Sequence, residues 1–201
     1  MQEFDMEDGT ADRILDVVQT LIQTRGFNAI SYRDVAEAIG IRKASIHYHF
    51  PSKMDLGRAV IARYRERLEQ VRENINPVAA ASYVAAWKAY LAPIAGIASV
   101  PGAVCLCGAL AGEFQTLSDE MQSEVRLFFE GHQSWLSALF EDGRHAGAFQ
   151  FEGSPDAAAR LIFSALEGGL LIHRALADET QVNSIVGAVE SFLGLHRTPV
   201  Q

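Results

Sequence analysis

Apolar side chains recur at intervals of three and four along almost the whole chain, and no segment reads as a strand-rich domain. In the first such run Ile14, Leu15, Val18, Leu21 and Ile22 share one face of a helix predicted over residues 10–25, which Gly26 ends. Patterning of this kind restricts the chain to an all-α fold. With 201 residues, 49% of them hydrophobic and 21% charged, the chain can bury a substantial core as one compact domain or two small ones.

Two short helices follow the first. Ser31 is placed to cap one, with Asp34 three residues on near its positive end and Val35, Ala36 and Ile39 on its buried face before Gly40. The next spans 42–48, and a longer helix runs over 52–76 until Pro77 closes it. Further helices are predicted at 78–99, 103–114, 118–146, 155–177 and 179–193, about nine in all. Ser154 with Pro155 starts the eighth, and Asp178 is placed to cap the last.

Two short helices around a Gly-containing turn, the second basic and hydroxyl-rich, make a helix-turn-helix with its recognition helix inside 41–50. Ile41, Ile46 and Phe50 form its buried side, leaving Arg42, Lys43, Ala44, Ser45, His47, Tyr48 and His49 for the major groove and its flanking phosphates. Arg42 and Lys43 suit phosphate or guanine edges, Ser45 can donate to phosphate, and small Ala44 permits close approach or meets a thymine methyl. Lys53, Ser31 and Arg33 stand at helix N-termini, where backbone N–H groups also favour phosphate oxygens. For His49, contact with DNA and local packing both stay open.

The net charge of −8 would argue against nucleic acid if it were spread evenly. It is not: between Arg25 and Arg67 nine Lys or Arg face four acids, net +5, while the other 8 basic and 21 acidic residues leave −13. The basic part can face phosphate.

The stretches from Arg13 to Asp16, Arg25 to Phe27, Asp34 to Ile41 and Ser45 to Lys53 resemble the DNA-binding domain of the TetR family of repressors over roughly residues 10–64. One departure is His47, where the family usually carries Tyr; Tyr48 follows one place later. The resemblance implies a DNA-binding domain at 1–53, a fourth helix over 52–76 as connector, and an effector-binding and dimerisation domain at 54–201. It implies further a two-fold dimer on a palindromic operator and release by a small-molecule effector of unknown identity.

Residues of the second half support the same organisation. Ala158, Leu161, Ile162, Ala165, Leu166, Gly169 and Ile172, with Val182, Ile185, Val186, Val189 and Phe192, form stripes for a dimer interface, and Gly168-Gly169 would let two helices approach closely. An apolar effector cavity among the central helices would draw on Trp87, Tyr90, Cys105, Phe114, Phe128, His132, Trp135, Glu167 and Leu171.

Cys105 and Cys107 are the only cysteines, and one intervening residue would strain a mutual disulfide. The segment from Cys105 to Glu113 resembles TetR-like subfamilies in which a cysteine heads the sixth helix, and some of those respond to oxidants or electrophiles. Sensing by Cys105 or Cys107 and simple burial as small hydrophobes both remain open. No metal site or cofactor is expected, since no ligand cluster of workable spacing is present. No apolar run would span a membrane, and the acidic start is unlike a secretory signal, so a cytoplasmic location is expected. A cysteine-dependent enzyme using Cys105, His132 and Glu113, or a helical module that ignores DNA, is the alternative; no phosphate loop or nucleophile elbow supports the first, and the basic N-terminal partition speaks against the second.

Overall fold

The structure, a computed structural model, describes the backbone of residues 3–75, 77 and 79–195. Among them are nine α-helices and no strand: α1 (Glu3–Arg25), α2 (Tyr32–Ile39), α3 (Lys43–His49), α4 (Lys53–Glu73), α5 (Ala80–Ala98), α6 (Leu106–Gly112), α7 (Asp119–His145), α8 (Pro155–Leu176) and α9 (Gln181–Phe192). A single 3₁₀ turn, Phe114–Thr116, joins α6 to α7.

Several boundaries move for local reasons. α1 begins at Glu3 rather than near residue 10, in keeping with the preference of helix N-termini for the acidic sequence found there. α6 is shorter than the predicted 103–114, because the backbone leaves helical geometry at Glu113 and closes the 3₁₀ turn instead. Asp178 does not cap α9: its Oδ1 accepts from Thr180 N at 2.9 Å and Thr180 Oγ1 at 2.7 Å, a turn completed before the helix starts, and Thr180 takes the cap position. The predicted ends at Asn76 and Val78 lie outside the described residues.

The chain packs as two compact units. The first holds the described residues up to Leu68 together with Leu106–Phe128; the second holds Glu69–Cys105 and the described residues from Phe129 onward. A cut after residue 53 would therefore pass through the first unit, whose core joins Ile14, Val18 and Ile22 of α1 to Val60 and Ile61 of α4 and Leu110 of α6. Gly57 is where α4 meets its neighbours most intimately: a Cβ there would lie 2.6 Å from Met121 Cε and 2.8 Å from Phe27 Cε2. Arg63 adds polar bridges to Asp12 at 3.1 Å and Asp16 at 2.8 Å.

The second unit is built on Trp87, Phe140, Phe149, Ile162, Leu166 and Leu170. Within it α8 and α9 form an antiparallel pair, and a Cβ on Gly169 would lie 2.5 Å from Ile185 Cδ1. This corrects the reading of the apolar stripes. Ala158, Ile162, Leu166, Gly169, Val182 and Val189 are buried inside the protomer, so they hold the chain's own core. Ala165, Ile185 and Val186 are half-buried, while Leu161, Ile172 and Phe192 are exposed at 58%, 46% and 37%. Among the described residues no helix is long and apolar enough to cross a membrane.

Candidate nucleic-acid interface and interior polar cluster

In the first unit, local chemistry sets the pose of the two short helices. Ser31 starts α2 with a reciprocal capping box: its Oγ accepts from Asp34 N at 3.4 Å, while Asp34 Oδ2 accepts from Ser31 N at 2.7 Å. The Ser31 hydroxyl also donates to Asp34 Oδ2 at 2.5 Å, and that bond first and the one from the Ser31 N–H second hold the Asp34 carboxyl below the usual range. Gly40 ends α2 in the left-handed region at φ 78°, with its N–H and that of Ile41 both reaching the Ala36 carbonyl, at 2.9 and 3.1 Å.

After that turn Arg42 occupies the N-cap of α3, so the helix runs one residue later than predicted. Ile46 and Phe50 are buried and Ile41 is half-buried, which leaves Arg42, Lys43, Ala44, His47 and Tyr48 on the exposed face. Ser45 and His49 are half-buried. Tyr48 is 70% exposed, the most open large apolar side chain named on this face.

His47 is anchored from behind, its ring packed edge-on against Tyr32 at 4.5 Å and its Nδ1 3.3 Å from the Pro51 carbonyl. His49 meets Tyr48 at 5.1 Å between ring centroids. Tyr32, which sequence reasoning passed over, donates from its hydroxyl to the Phe50 carbonyl at 2.7 Å and so ties the end of α3 to the start of α2. Arg33 is exposed and paired with Glu37 at 2.7 Å. Lys53 opens α4 half-buried, with Nζ 4.5 Å from the Phe27 ring centroid and 3.5 Å from the Asn28 carbonyl.

The second unit encloses a polar cluster. The Tyr90 hydroxyl and His132 Nδ1 share a hydrogen bond at 3.3 Å, and both side chains are buried. Trp135 and Trp87 both stack with Tyr90, at 5.4 and 5.8 Å between ring centroids. Cys105, also buried, hydrogen-bonds Glu167, and both lie within electrostatic reach of Tyr90.

Burial dominates the chemistry of the cluster. It pushes Glu167 up to about 7, against the opposing hydrogen bond from Cys105, and it raises Tyr90 as well. It also drives His132 down to about 3, helped by the positive charge of Arg72. Accessible surface leaves Glu167 half-buried as a residue, and the desolvation acts on the carboxyl end. Trp87 is fully buried and its Nε1 has no hydrogen-bond partner among the described residues. Beside Trp135 a cleft of about 600 Å³ opens, lined by Arg72, Gly131 and Ser134 among others.

Three of the nine cavity candidates fall elsewhere. Phe114 lies in the first unit under the Arg126 guanidinium at 4.9 Å, and Phe128 in that same unit stacks on Tyr64 at 5.7 Å. Leu171 is 39% exposed on α8, one position past the buried Leu170 and therefore turned about 100° round the helix from it. Among the described residues no group of three or more His, Cys, Asp or Glu could hold a metal ion.

Residues 14–60 match the family described as "Bacterial regulatory proteins, tetR family". A solved TetR-family transcriptional regulator from Agrobacterium tumefaciens is 32% identical, covers 93% of this chain and 99% of its own, and superposes with a TM-score of 0.84. The chain belongs to the TetR family. A TetR regulator from Legionella pneumophila is 34% identical over 90% of this chain and 95% of its own, with a TM-score of 0.75. The Escherichia coli K12 protein named HTH-type transcriptional repressor NemR is 24% identical over 169 residues, 82% of this chain and 84% of that protein. As a TetR-family member the chain is a DNA-binding transcriptional regulator rather than an enzyme. The α2–turn–α3 segment is its helix-turn-helix.

Proposed function

We propose that this regulator is a dimeric repressor that binds a palindromic operator and lets go when a small molecule enters its second unit. The observation that carries the DNA half is the outer face of α3: Arg42, Lys43, Ala44, His47 and Tyr48 are exposed on a helix whose other side, Ile46, is fully buried. In this reading those residues and Ser45 enter the major groove, His49 lies at its edge, and Ser31, Arg33 and Lys53 meet flanking phosphates. Residues 1–53 carry the DNA-binding surface, resting on a core they share with α4 and α6, and effector and partner binding are assigned to the second unit.

Dimerisation is assigned to the outer side of α8, where Leu161, Ala165, Gly168, Ile172 and Leu176 follow one another at spacings of four, three, four and four. Among the described residues nothing beyond the helix's own backbone lies within 4 Å of a Cβ built on Gly168, so that position is open, and with no side chain it would let a second helix approach closely there. A palindromic operator presents its two half-sites about 34–36 Å apart, one DNA turn, which a two-fold dimer matches in symmetry. Repression follows the relative named as a repressor, and action on operator DNA would place the protein in the cytoplasm.

The effector reading rests on Trp87, Tyr90, Cys105, His132, Trp135 and Glu167. A largely apolar ligand with one acceptor group would stack on the rings and engage the Trp87 indole N–H. Release requires that such a ligand favour a dimer whose recognition helices no longer match the half-site spacing. An electrophoretic mobility shift with the region upstream of the protein's own gene tests the central statement. No shift at low salt would overturn it.

A further inference from the structure

Between α1 and α2 the chain turns at residues 26–28, and side chains remote in sequence hold that turn from two sides. On one side the Asn28 backbone N–H donates to Glu113 Oε2 at 3.0 Å, and Asn28 Nδ2 donates to Thr116 Oγ1 at 2.8 Å. Thr116 Oγ1 donates in turn to the Glu113 carbonyl at 2.7 Å, which ties the two grips together. Gly26 makes the approach possible: it sits at φ 89°, and a Cβ there would collide with Glu113 Oε1.

On the other side stands Lys53, the first residue of α4. Its Nζ donates to the Asn28 carbonyl at 3.5 Å and lies over the Phe27 ring at 4.5 Å. An ammonium carries three donors, so two remain for a phosphate oxygen once Asn28 has taken one. Burial lowers the Lys53 pKa, and the nearby negative charge of Glu113 works in the opposite direction. Asn28 therefore touches Glu113 through its N–H and Lys53 through its carbonyl.

We propose that Glu113 is a positioning residue for DNA binding: with Thr116 it fixes the turn at 26–28, the turn fixes the Lys53 ammonium, and Lys53 carries a phosphate contact. This rests on the assignment of Lys53 to phosphate made above. It adds a route by which a shift in the segment after α6 reaches the DNA face without passing through the recognition helix.

Fluorescence anisotropy on a duplex from the protein's own upstream region, titrated with salt, tests the relay. Lys53→Ala should lower affinity several-fold and reduce the slope of log K against log salt by about one. Glu113→Ala should do the same, although removing an acid ordinarily strengthens binding to a polyanion. In a Lys53→Ala background it should cost nothing further. Glu113→Gln, which keeps an acceptor oxygen for Asn28, should restore most of the affinity. Thr116→Val is a second probe of the same grip, with circular dichroism confirming that each variant folds. Additive losses, a loss with no change of slope, or unchanged binding in both Glu113→Ala and Thr116→Val would overturn the relay while leaving the Lys53 assignment intact. Unchanged affinity and slope in Lys53→Ala would overturn both.

Discussion

Gly169 of α8 and Ile185 of α9 meet so closely that a Cβ on the glycine would lie 2.5 Å from Ile185 Cδ1, whereas at the adjacent Gly168 none of the described residues beyond the helix's own backbone comes within 4 Å of the same position. One glycine thus serves the fold of the protomer and the other faces outward. Gly169→Leu should overpack the α8–α9 contact at a cost of about 1–3 kcal/mol and lower the melting temperature. Gly168→Leu should leave the melting curve of the protomer nearly unchanged and shift sedimentation from dimer to monomer. A Gly168→Leu protein that still sediments as a dimer would move the interface off this stripe.

These neighbouring glycines also mark the limit of what the sequence reveals. Helical periodicity identifies α8 and α9 as amphipathic, yet both sides of each helix carry apolar or small residues, so periodicity alone does not say which side a partner covers. Only packing separates buried Leu166 from exposed Leu161. The helix-turn-helix was legible because its signals are local: the Ser31 and Asp34 pair, Gly40 and the apolar Ile46 and Phe50 all act within one or two turns. The grip of Glu113 on Asn28 spans 85 residues and leaves no local signature. The interior cluster falls between these cases, since Trp87, Tyr90, His132, Trp135, Cys105 and Glu167 were all named, while Phe114, Phe128 and Leu171 share their chemistry and lie elsewhere.

The capping box at α2 makes a separate prediction. Ser31→Ala removes the hydroxyl that accepts from Asp34 N, and loss of such a cap costs about 1 kcal/mol. Chemical denaturation should show that loss, together with faster amide exchange in the first turn of α2. Unaltered exchange at Asp34 and Val35 would mean that the cap does not hold the helix.

Both cysteines are buried, Cys105 at 3% exposure and Cys107 at 0%, and a thiol must reach solvent as thiolate to react. N-ethylmaleimide should therefore modify the native protein far more slowly than the denatured chain, as measured by mass spectrometry over time. Native modification at the denatured rate would contradict the buried environment. If Cys105→Ser and Cys107→Ser proteins both release DNA on exposure to an electrophile as the parent does, sensing by either thiol alone is ruled out.

Glu167 and His132 give opposite pH dependences, which a single substitution can separate. Glu167 is raised from 4.5 to about 7, so between those values the folded chain holds a proton that the unfolded chain has lost, and stability falls as pH rises. His132 is lowered from 6.5 to about 3, so the unfolded chain holds the extra proton there and stability rises with pH across that window. Where the two windows overlap, between 4.5 and 6.5, the contributions cancel. Glu167→Gln removes the first alone. The stability of the variant minus that of the parent should therefore grow as pH rises from 4.5 to 7 and level off beyond, by an amount on the order of 3 kcal/mol. Urea denaturation of both proteins at a series of pH values measures this difference, and other titrating groups drop out of it. A difference that stays flat across the window would show that the Glu167 carboxyl keeps its ordinary pKa in the folded chain, and the cluster would then offer an effector a fixed negative charge at neutral pH.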